Sequence, residues 1–369
     1  MNVLWIFNHP APYKVKFFNE LGKKCNLQVI FERDREGDRN DIFYSEKPYN
    51  FKSHICKSLK LGKVNNYTSD PVKFLKKNKY DLVVINGWYT LGERKVISYC
   101  KRHKIEYIFA INGGIVPKKE LAIKRKIKTK YISGASLYLS PDLSSNKYLC
   151  HYGADEEKIR IFPYSNINER VILKNPLTKE EKQRLRKKYD LEGDEIFVTC
   201  GQFIERKNFL KLIEIWAQVP PNLSLYIIGE GPLKQQYLDK IKSLELKNVH
   251  ILPFQESAKL FSIFSACDKF IFISKEDIYG QVVIEALSQG LPVIGSNNAN
   301  ALVKTITHNL NGVIVNINSD ESILEGIKKK LPEEASEICL EEARKNTIEN
   351  SSAFHIELFK EFIKENESK

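Results

Sequence analysis

Short apolar runs alternate with longer amphipathic segments along most of the chain, and this alternation predicts strands followed by helices. In the first half, the predicted buried strands are residues 3–7, 27–31, 81–85, 107–111 and, last, 137–139. Helices are predicted from about Val15 to Lys24, up to Arg102 and over 144–152. Because helical crossovers connect parallel strands, the pattern favours an α/β fold with a parallel sheet.

A second alternating series begins near residue 195. Its predicted strands are 196–200, 225–228, 249–252 and 269–273, and its predicted helices are 209–218, one from 233, and 257–266. A polar linker at Pro163–Asn166 and a charged helix at Lys179–Lys188 separate the two series. With 42% hydrophobic residues, the chain of 369 residues can pack two cores. The sequence therefore predicts two α/β domains.

The segment from Ser274 to Ser296, SKEDIYGQVVIEALSQGLPVIGS, predicts a loop, a helix and a strand. Gly280 and Gln281 begin the helix, and Gly290 is placed to end it. The first turn offers unpaired N–H groups at Gln281 and Val282, which suit a phosphate. Glu285 follows one turn later and can reach a hydroxyl group. The segment thus predicts a phosphate and a polyol bound side by side.

Two acids eight residues apart, Asp277 and Glu285, complete a pattern with the glycine before the helix and Gly-x-Pro-Val after it. This composite resembles the donor-site signature of family 4 retaining glycosyltransferases, although the first acid there is usually Glu. The resemblance implies a GT-B fold, in which two doubly wound Rossmann-like domains face a central cleft. It implies an acceptor-side domain over 1–170, a nucleotide-sugar donor domain over 171–350 and a C-terminal helix over 351–369 that crosses back to the first domain.

The loop from Gly201 to Asn208 resembles a second element of that family, in which a glycine precedes a lysine by six residues. The resemblance implies that Arg206 and Lys207 hold the diphosphate of the donor as the sugar bond breaks. It also implies that Asp277 contacts sugar hydroxyls, that Glu285 holds ribose and that the backbone near Phe254 holds the base. Asn300-Ala301 and Lys304 depart from the family pattern, which affects details of donor binding.

Three loops of the first domain follow predicted strands, so they should share one edge of the sheet. Under the same resemblance, His9 and Tyr13 lie on the acceptor side, and Asn112 contacts the transferred sugar. The alternative for His9 is a histidine with a structural role in a turn. Trp88 could stack on a sugar ring or simply pack in the core.

Charge is distributed unevenly, because residues 1–170 carry 32 Lys+Arg against 17 Asp+Glu. A basic surface of this kind suits a polyanionic partner. Nucleic acid is not expected, since no recognition motif is present. The alternative partner is an anionic membrane, contacted through Lys118–Lys130. This segment is either an interfacial helix that lies on the lipid or an ordinary basic helix face exposed to water. With no apolar run long enough to span a membrane and no signal peptide, we expect a cytoplasmic protein at the inner face of the membrane.

Several other chemistries are disfavoured by the sequence. Seven dispersed cysteines without a CxxC pair indicate reduced thiols and argue against zinc. Gly229-Glu230-Gly231 lacks the rest of a dinucleotide fingerprint. Glu32-Arg33-Asp34, within the charged run 32–41, is predicted to be a solvated loop. We therefore expect no metal and no cofactor. The donor substrate expected from the resemblance is a nucleotide-diphosphate sugar whose nucleotide is UDP or GDP.

The sequence thus predicts a retaining glycosyltransferase that acts on a saccharide acceptor, lipid-linked in the assembly of capsule, exopolysaccharide or O-antigen. Two alternatives stay open. A GT-B nucleotide-sugar 2-epimerase would use the same donor but would need carboxylates for proton abstraction. A non-enzymatic basic protein that binds membranes or nucleic acid would need neither Arg206 nor Glu285.

Overall fold

The computed structural model describes residues 1–34, 49–57, 59–61, 65–68, 70–277, 279–296 and 298–367. The chain folds into two compact units. Unit 1 comprises residues 1–166 together with 347–369, and unit 2 comprises residues 167–346. Within the described residues, no helix combines the length and the apolar character needed to span a membrane.

Among its described residues, unit 1 contains a seven-stranded sheet and a separate pair of antiparallel strands. Its strands are β1 (Asn2–Phe7), β2 (Asn26–Phe31), β3 (Lys52–Ile55), β4 (Leu59–Leu61), β5 (Asn65–Tyr67), β6 (Leu82–Asn86), β7 (Ile108–Ala110), β8 (Leu137–Ser140) and β9 (Ile159–Ile161). Its helices are α1 (Pro12–Gly22), α2 (Asp70–Lys77), α3 (Leu91–Arg102), α4 (Ala122–Ile132) and α5 (Leu143–His151), with a long helix near the C-terminus described below.

The large sheet is parallel throughout, in the order β3-β2-β1-β6-β7-β8-β9. The order reverses between β1 and β6, as in doubly wound folds, so the loops after these two strands flank the position where such sheets bind ligands. The expectation that 137–139 would be the last strand is wrong. β9 adds one more strand at the edge, and its three residues are too few to show a strand period.

Unit 2 is built on a six-stranded parallel sheet with helices between successive strands. Its strands are β10 (Glu195–Cys200), β11 (Leu223–Ile228), β12 (Val249–Leu252), β13 (Lys269–Phe272), β14 (Val293–Ser296) and β15 (Gly312–Val315). Its helices are α6 (Lys179–Lys188), α7 (Phe209–Trp216), α8 (Lys234–Ser243), α9 (Ser257–Ala266), α10 (Gln281–Leu287), α11 (Asn300–Thr305), α12 (Asp320–Lys328) and α13 (Ala335–Lys345). The order β12-β11-β10-β13-β14-β15 reverses between β10 and β13.

The last helix, α14 (Ile348–Glu367), packs on the face of the unit 1 sheet that α1 covers. Its buried side chains include Ile356, Phe359 and Phe362. The ring of Phe359 lies 6.2 Å from that of Trp5 on β1. The apolar face of α14 therefore completes a core in unit 1.

Lys14 is buried in this core, and among the described residues no carboxylate forms an ion pair with it. Its Nζ atom lies 5.2 to 5.8 Å from the centres of five aromatic rings, which belong to Trp5, Phe7, Phe17, Phe162 and Tyr164. Burial lowers the pKa of Lys14 to about 7. The neighbouring His355 on α14 is also buried, and its pKa is lowered to about 3. Removal from water thus disfavours the charged forms of both bases.

Candidate functional site

The loops that follow β10 and β13 meet at the point where the strand order of unit 2 reverses. Gly201 begins the first loop with φ +152°, a backbone region that L side chains rarely adopt. The two loops are joined by a backbone hydrogen bond of 2.8 Å from the Lys275 N–H to the Arg206 carbonyl. The side-chain amide of Asn208 donates to the Ile273 carbonyl at 3.2 Å. These contacts fix the positions of the side chains that the two loops carry.

A cluster of two cations and one carboxylate occupies this junction. Lys207 Nζ lies 2.7 Å from Asp277 Oδ2, and Arg206 lies 3.1 Å from the same oxygen. The Lys207 side chain is 11% exposed and that of Arg206 is 48% exposed. Two cations that share one carboxylate leave a net positive charge, so the cluster can accept a polyanion such as a diphosphate.

The electrostatics of Asp277 follow from these neighbours. Burial by itself would raise the pKa of Asp277, but the charges and hydrogen bonds of Lys207 and Arg206 outweigh it and lower the pKa. The carboxylate is therefore ionised at neutral pH. A thiol lies close by at Cys200, the last residue of β10, whose pKa is raised by burial and by the charge of Glu285. The second acid of the sequence pattern thus lies near the same loop as Lys207.

Helix α10 begins beside this cluster. Gly280 is its N-cap residue with φ +90°, and Gln281 is the first helical residue. Both amide atoms of the Gln281 side chain are buried and have no hydrogen-bond partner among the described residues. A buried amide without a partner is costly unless a ligand satisfies it. Val282, in the same first turn, is half-buried, and its N–H has no acceptor within the helix.

Gly290 ends the helix, as the sequence predicts. It has φ +66°, its N–H donates to the Leu287 carbonyl at 3.0 Å, and the Leu291 N–H donates to the Ala286 carbonyl at 3.1 Å, which is the Schellman arrangement of a C′ glycine. Phe254, for which we expected a role near the base, lies just after β12 and is 69% exposed. Asn300 is the first residue of α11 and Lys304 lies within it. The roles of these residues in donor binding stay predictions.

In unit 1, two asparagines lie at the carboxyl ends of neighbouring strands. Asn86 ends β6, and Asn112 follows β7. The side-chain carbonyl oxygens of both are buried and have no hydrogen-bond partner among the described residues. Each can accept a hydrogen bond from a hydroxyl group. The sequence singled out Asn112 but assigned no role to Asn86.

The other acceptor-side candidates are mostly buried. His9 is 7% exposed, and the Tyr13 ring packs edge-on against that of Tyr164 at 6.3 Å. Trp88 is also 7% exposed and stacks on Tyr89 at 5.2 Å, which agrees with the packing alternative for Trp88. Tyr89 is 60% exposed. The accessible aromatic ring in this loop therefore belongs to Tyr89, which the sequence analysis did not single out.

The prediction of a solvated loop from Glu32 onward is wrong at its first residue, and residues 35–41 lie outside the described residues. Glu32 is fully buried, and its backbone N–H donates to the Phe7 carbonyl at 3.0 Å. Burial raises its pKa to about 7. Burial and the charge of Glu32 also raise the pKa of Glu93, which closes a capping box with Thr90 at the start of α3. Removal from water thus favours the protonated forms of both acids.

Comparison with known proteins adds sequence relationships, and the family match covers most of unit 2. Residues 181–353 match the family model described as Glycosyl transferases group 1, which is a little under half of the chain. The chain is 27% identical over 142 residues to the N-acetylgalactosamine-N,N'-diacetylbacillosaminyl-diphospho-undecaprenol 4-alpha-N-acetylgalactosaminyltransferase of Campylobacter jejuni, which is 38% of each chain. It is 24% identical over 258 residues to the alpha-monoglucosyldiacylglycerol synthase of Acholeplasma laidlawii, which is 64% of each. The match thus spans less than two thirds of either relative.

A solved structure provides the comparison over the whole length. Alr3699/HepE of Anabaena, crystallised in complex with UDP, superposes with a TM-score of 0.76 over 98% of this chain and 100% of its own, at 16% identity. The fold is GT-B. The expectation of two doubly wound parallel-sheet domains is therefore confirmed. Within this GT-B chain, the matched region 181–353 contains Arg206, Lys207, Asp277 and Glu285.

Proposed function

We propose that this protein is a glycosyltransferase that moves a sugar from a nucleotide-diphosphate sugar to a saccharide acceptor with retention of configuration. The observation that carries the proposal is the convergence of Arg206 and Lys207 on Asp277 at the reversal point of the unit 2 sheet. The cluster lies within the region that matches the group 1 glycosyltransferase model. The structural neighbour HepE was crystallised with UDP, which supports a nucleotide as the ligand.

In this proposal, the diphosphate binds Arg206 and Lys207, and the first turn of α10 contributes the N–H groups of Gln281 and Val282. The Gln281 amide supplies further polar contacts. Asp277 binds sugar hydroxyls, and Glu285 binds ribose. The two cations stabilise the charge that develops on the leaving diphosphate, so no metal ion is required. UDP and GDP are the candidate leaving groups.

The acceptor is proposed to bind unit 1, with the carbonyl oxygens of Asn86 and Asn112 accepting bonds from sugar hydroxyls. The names of the two relatives include an undecaprenol diphosphate and a diacylglycerol, which favours a lipid-linked acceptor. We place the reaction in the assembly of a bacterial surface polysaccharide, such as capsule, exopolysaccharide or O-antigen. It would then take place at the inner face of the cell membrane.

The surface of α4 supports the membrane part of this proposal. Leu121 and Ile123 are 63% and 69% exposed, and Ile127 is 42% exposed. Between and around them lie exposed cations, which are Lys118, Lys119, Lys124, Arg125, Lys126 and Lys130. A surface cavity of about 400 Å³ is lined by Lys119, Lys124 and Lys128, together with Glu120. Exposed apolar side chains among cations are typical of a helix that lies on anionic lipid.

The donor site can be tested by thermal shift with UDP, GDP, ADP, dTDP and CMP in the presence of EDTA. We expect one nucleoside diphosphate to stabilise the wild type, by about 2.7 kcal/mol at 100 times its Kd. The effect should be lost in Arg206→Ala/Lys207→Ala and reduced in Glu285→Gln. Lys211→Ala removes a neighbouring cation that pairs with Asp320, and it should respond as the wild type does.

Two results would contradict this assignment. If none of the nucleotides stabilises the wild type, the donor site is wrong. If a nucleotide stabilises the double variant as well as the wild type, the ligand binds elsewhere.

Retention can be tested with the matching nucleotide sugar and an acceptor. The anomeric configuration of the donor should be kept in the product, which NMR of the product can show.

Membrane binding is expected to depend on residues 124–126. Replacing these three cations with Glu should weaken binding to vesicles that contain phosphatidylglycerol by at least about 100-fold, since each cation lost costs about 1 kcal/mol and each Glu gained is repelled by the anionic surface. Sedimentation with the vesicles measures the binding. The matched control reverses the three exposed lysines 328–330 of unit 2, which changes the net charge equally. Equal losses in both variants would mean that net charge, and not α4, determines binding.

A further inference from the structure

Unit 1 contains a group of potential metal ligands that is separate from the proposed donor site. Among the described residues, His54, Cys56 and Asp70 form the single group of three His, Cys or acidic residues with ligand atoms close enough to hold an ion. One ligand atom from each lies within 4.8 Å of the others. The dispersed cysteines of the sequence argued against such a site.

The fold explains why these side chains meet. His54 and Cys56 are two residues apart on and just after β3, so they project from the same face of the sheet. Parallel pairing with β2 places His54 beside Ile30, and the Cys56 N–H donates to the Phe31 carbonyl at 2.8 Å. Helix α2 begins with Asp70 and brings its carboxylate to 3.6 Å from His54 Nε2.

Neighbouring contacts orient two of the three ligands. The His54 ring packs against that of Phe74 with 4.8 Å between centres. Its Nε2 atom is buried and has no hydrogen-bond partner among the described residues, because 3.6 Å to Asp70 is too long for one. Lys73 binds the other oxygen of Asp70, Oδ1, at 2.9 Å. Asp70 Oδ2 is therefore the oxygen that faces His54. Lys73 holds the carboxylate in this orientation, as residues outside the ligand set do at metal sites.

We propose that His54 Nε2, Cys56 Sγ and Asp70 Oδ2 bind a divalent transition-metal ion of the zinc type. A tetrahedral zinc ion with bonds of about 2.0–2.3 Å separates its ligand atoms by roughly 3.3–3.8 Å. The 3.6 Å between His54 and Asp70 lies in this range, and Cys56 has to move by about an ångström or less. A thiolate ligand disfavours Mg²⁺ and Ca²⁺, which prefer oxygen. Water would occupy the fourth position.

Such an ion would fasten an edge strand to a helix. Among the strands that the structure describes, β3 lies at the edge of the unit 1 sheet and pairs with β2 alone. The ion would bond to His54 and Cys56 on one side and to Asp70 on the other. These bonds would link β3 to the start of α2. We therefore infer a structural role, in which the ion raises the melting temperature of the protein.

The test starts with protein freed of metal by a chelator and of any histidine tag. One equivalent of Zn²⁺ should bind in competition with a colorimetric chelator, and it should raise Tm. Mg²⁺ should not displace the bound Zn²⁺. Co²⁺ should give a thiolate-to-cobalt charge-transfer band in the near ultraviolet. That band should disappear in Cys56→Ser, and Zn²⁺ affinity should fall at least 10-fold in His54→Gln and in Asp70→Asn.

Matched controls are Cys25→Ser and His103→Gln, which alter a cysteine and a histidine of the same unit outside the group. Both should keep the cobalt band and the zinc stoichiometry. The proposal is overturned if the folded wild type binds less than half an equivalent of Zn²⁺, a result that needs no variant. It is also overturned if the band persists in Cys56→Ser, or if Asp70→Asn binds Zn²⁺ as tightly as the wild type.

Discussion

Replacing Lys207 with alanine is expected to lower kcat for sugar transfer by on the order of 100- to 1000-fold, the range for losing one buried donor to a developing anion. Lys207 is the more buried of the two cations, at 11% exposure against 48% for Arg206. Its charge is less screened by water, so its contact with a diphosphate is worth more. Arg206→Ala should therefore cost less than Lys207→Ala. Steady-state kinetics with the nucleotide sugar identified by thermal shift measures both.

Loss of Lys207 also leaves Asp277 buried with one partner fewer, which can destabilise the fold. The double variant Lys207→Ala/Asp277→Asn removes this under-compensated buried charge and should recover melting temperature without recovering kcat. Lys211→Ala serves as the control on the following helix and should keep wild-type kcat. An Arg206→Ala variant slower than Lys207→Ala would contradict the argument from burial.

The strands that the sequence predicts well are those buried on both faces. The apolar runs 3–7 and 269–273 correspond to β1 (Asn2–Phe7) and β13 (Lys269–Phe272), where continuous burial leaves a clear pattern. β3 and β9 escaped prediction because they are short edge strands with exposed residues. The last helix begins at Ile348 rather than at residue 351. Thr347 precedes it, and its Oγ1 accepts a bond from the Asn350 N–H, a cap that the apolar spacing does not show.

The candidate sites were predictable to different degrees for a physical reason. Arg206, Lys207 and Asp277 could be named because each lies in a local pattern, although their pairing across 70 residues is visible only in the fold. The group of His54, Cys56 and Asp70 has no local pattern, since strand register and the position of α2 bring it together. Burial of Glu32 was likewise hidden, because a charged run in sequence does not show which side chain turns inward.

Lys14 is a basic residue that the fold buries among aromatic rings, although basic side chains are usually exposed. Its replacement gives the prediction with the largest effect on stability. In the folded protein its pKa is about 7, against about 10.5 for the unfolded chain. Between these values the unfolded state binds the extra proton, so the free energy of unfolding contributed by Lys14 rises with pH. At pH 7 and below, the full penalty for burying the ammonium group applies. The five aromatic rings around it offset a part of that penalty.

Lys14→Met keeps the length of the side chain and removes the charge, so it is expected to stabilise the protein by about 2–4 kcal/mol at pH 7. Because the wild type no longer carries the penalty above pH 10, the gain should shrink steadily as the pH rises from 7 towards 10. Urea unfolding at several pH values measures this difference. Lys24→Met, an exposed lysine just beyond α1, should change stability by less than about 0.5 kcal/mol at every pH. A destabilised Lys14→Met at pH 7 would mean that the aromatic rings hold a charged ammonium group and more than compensate its loss of water.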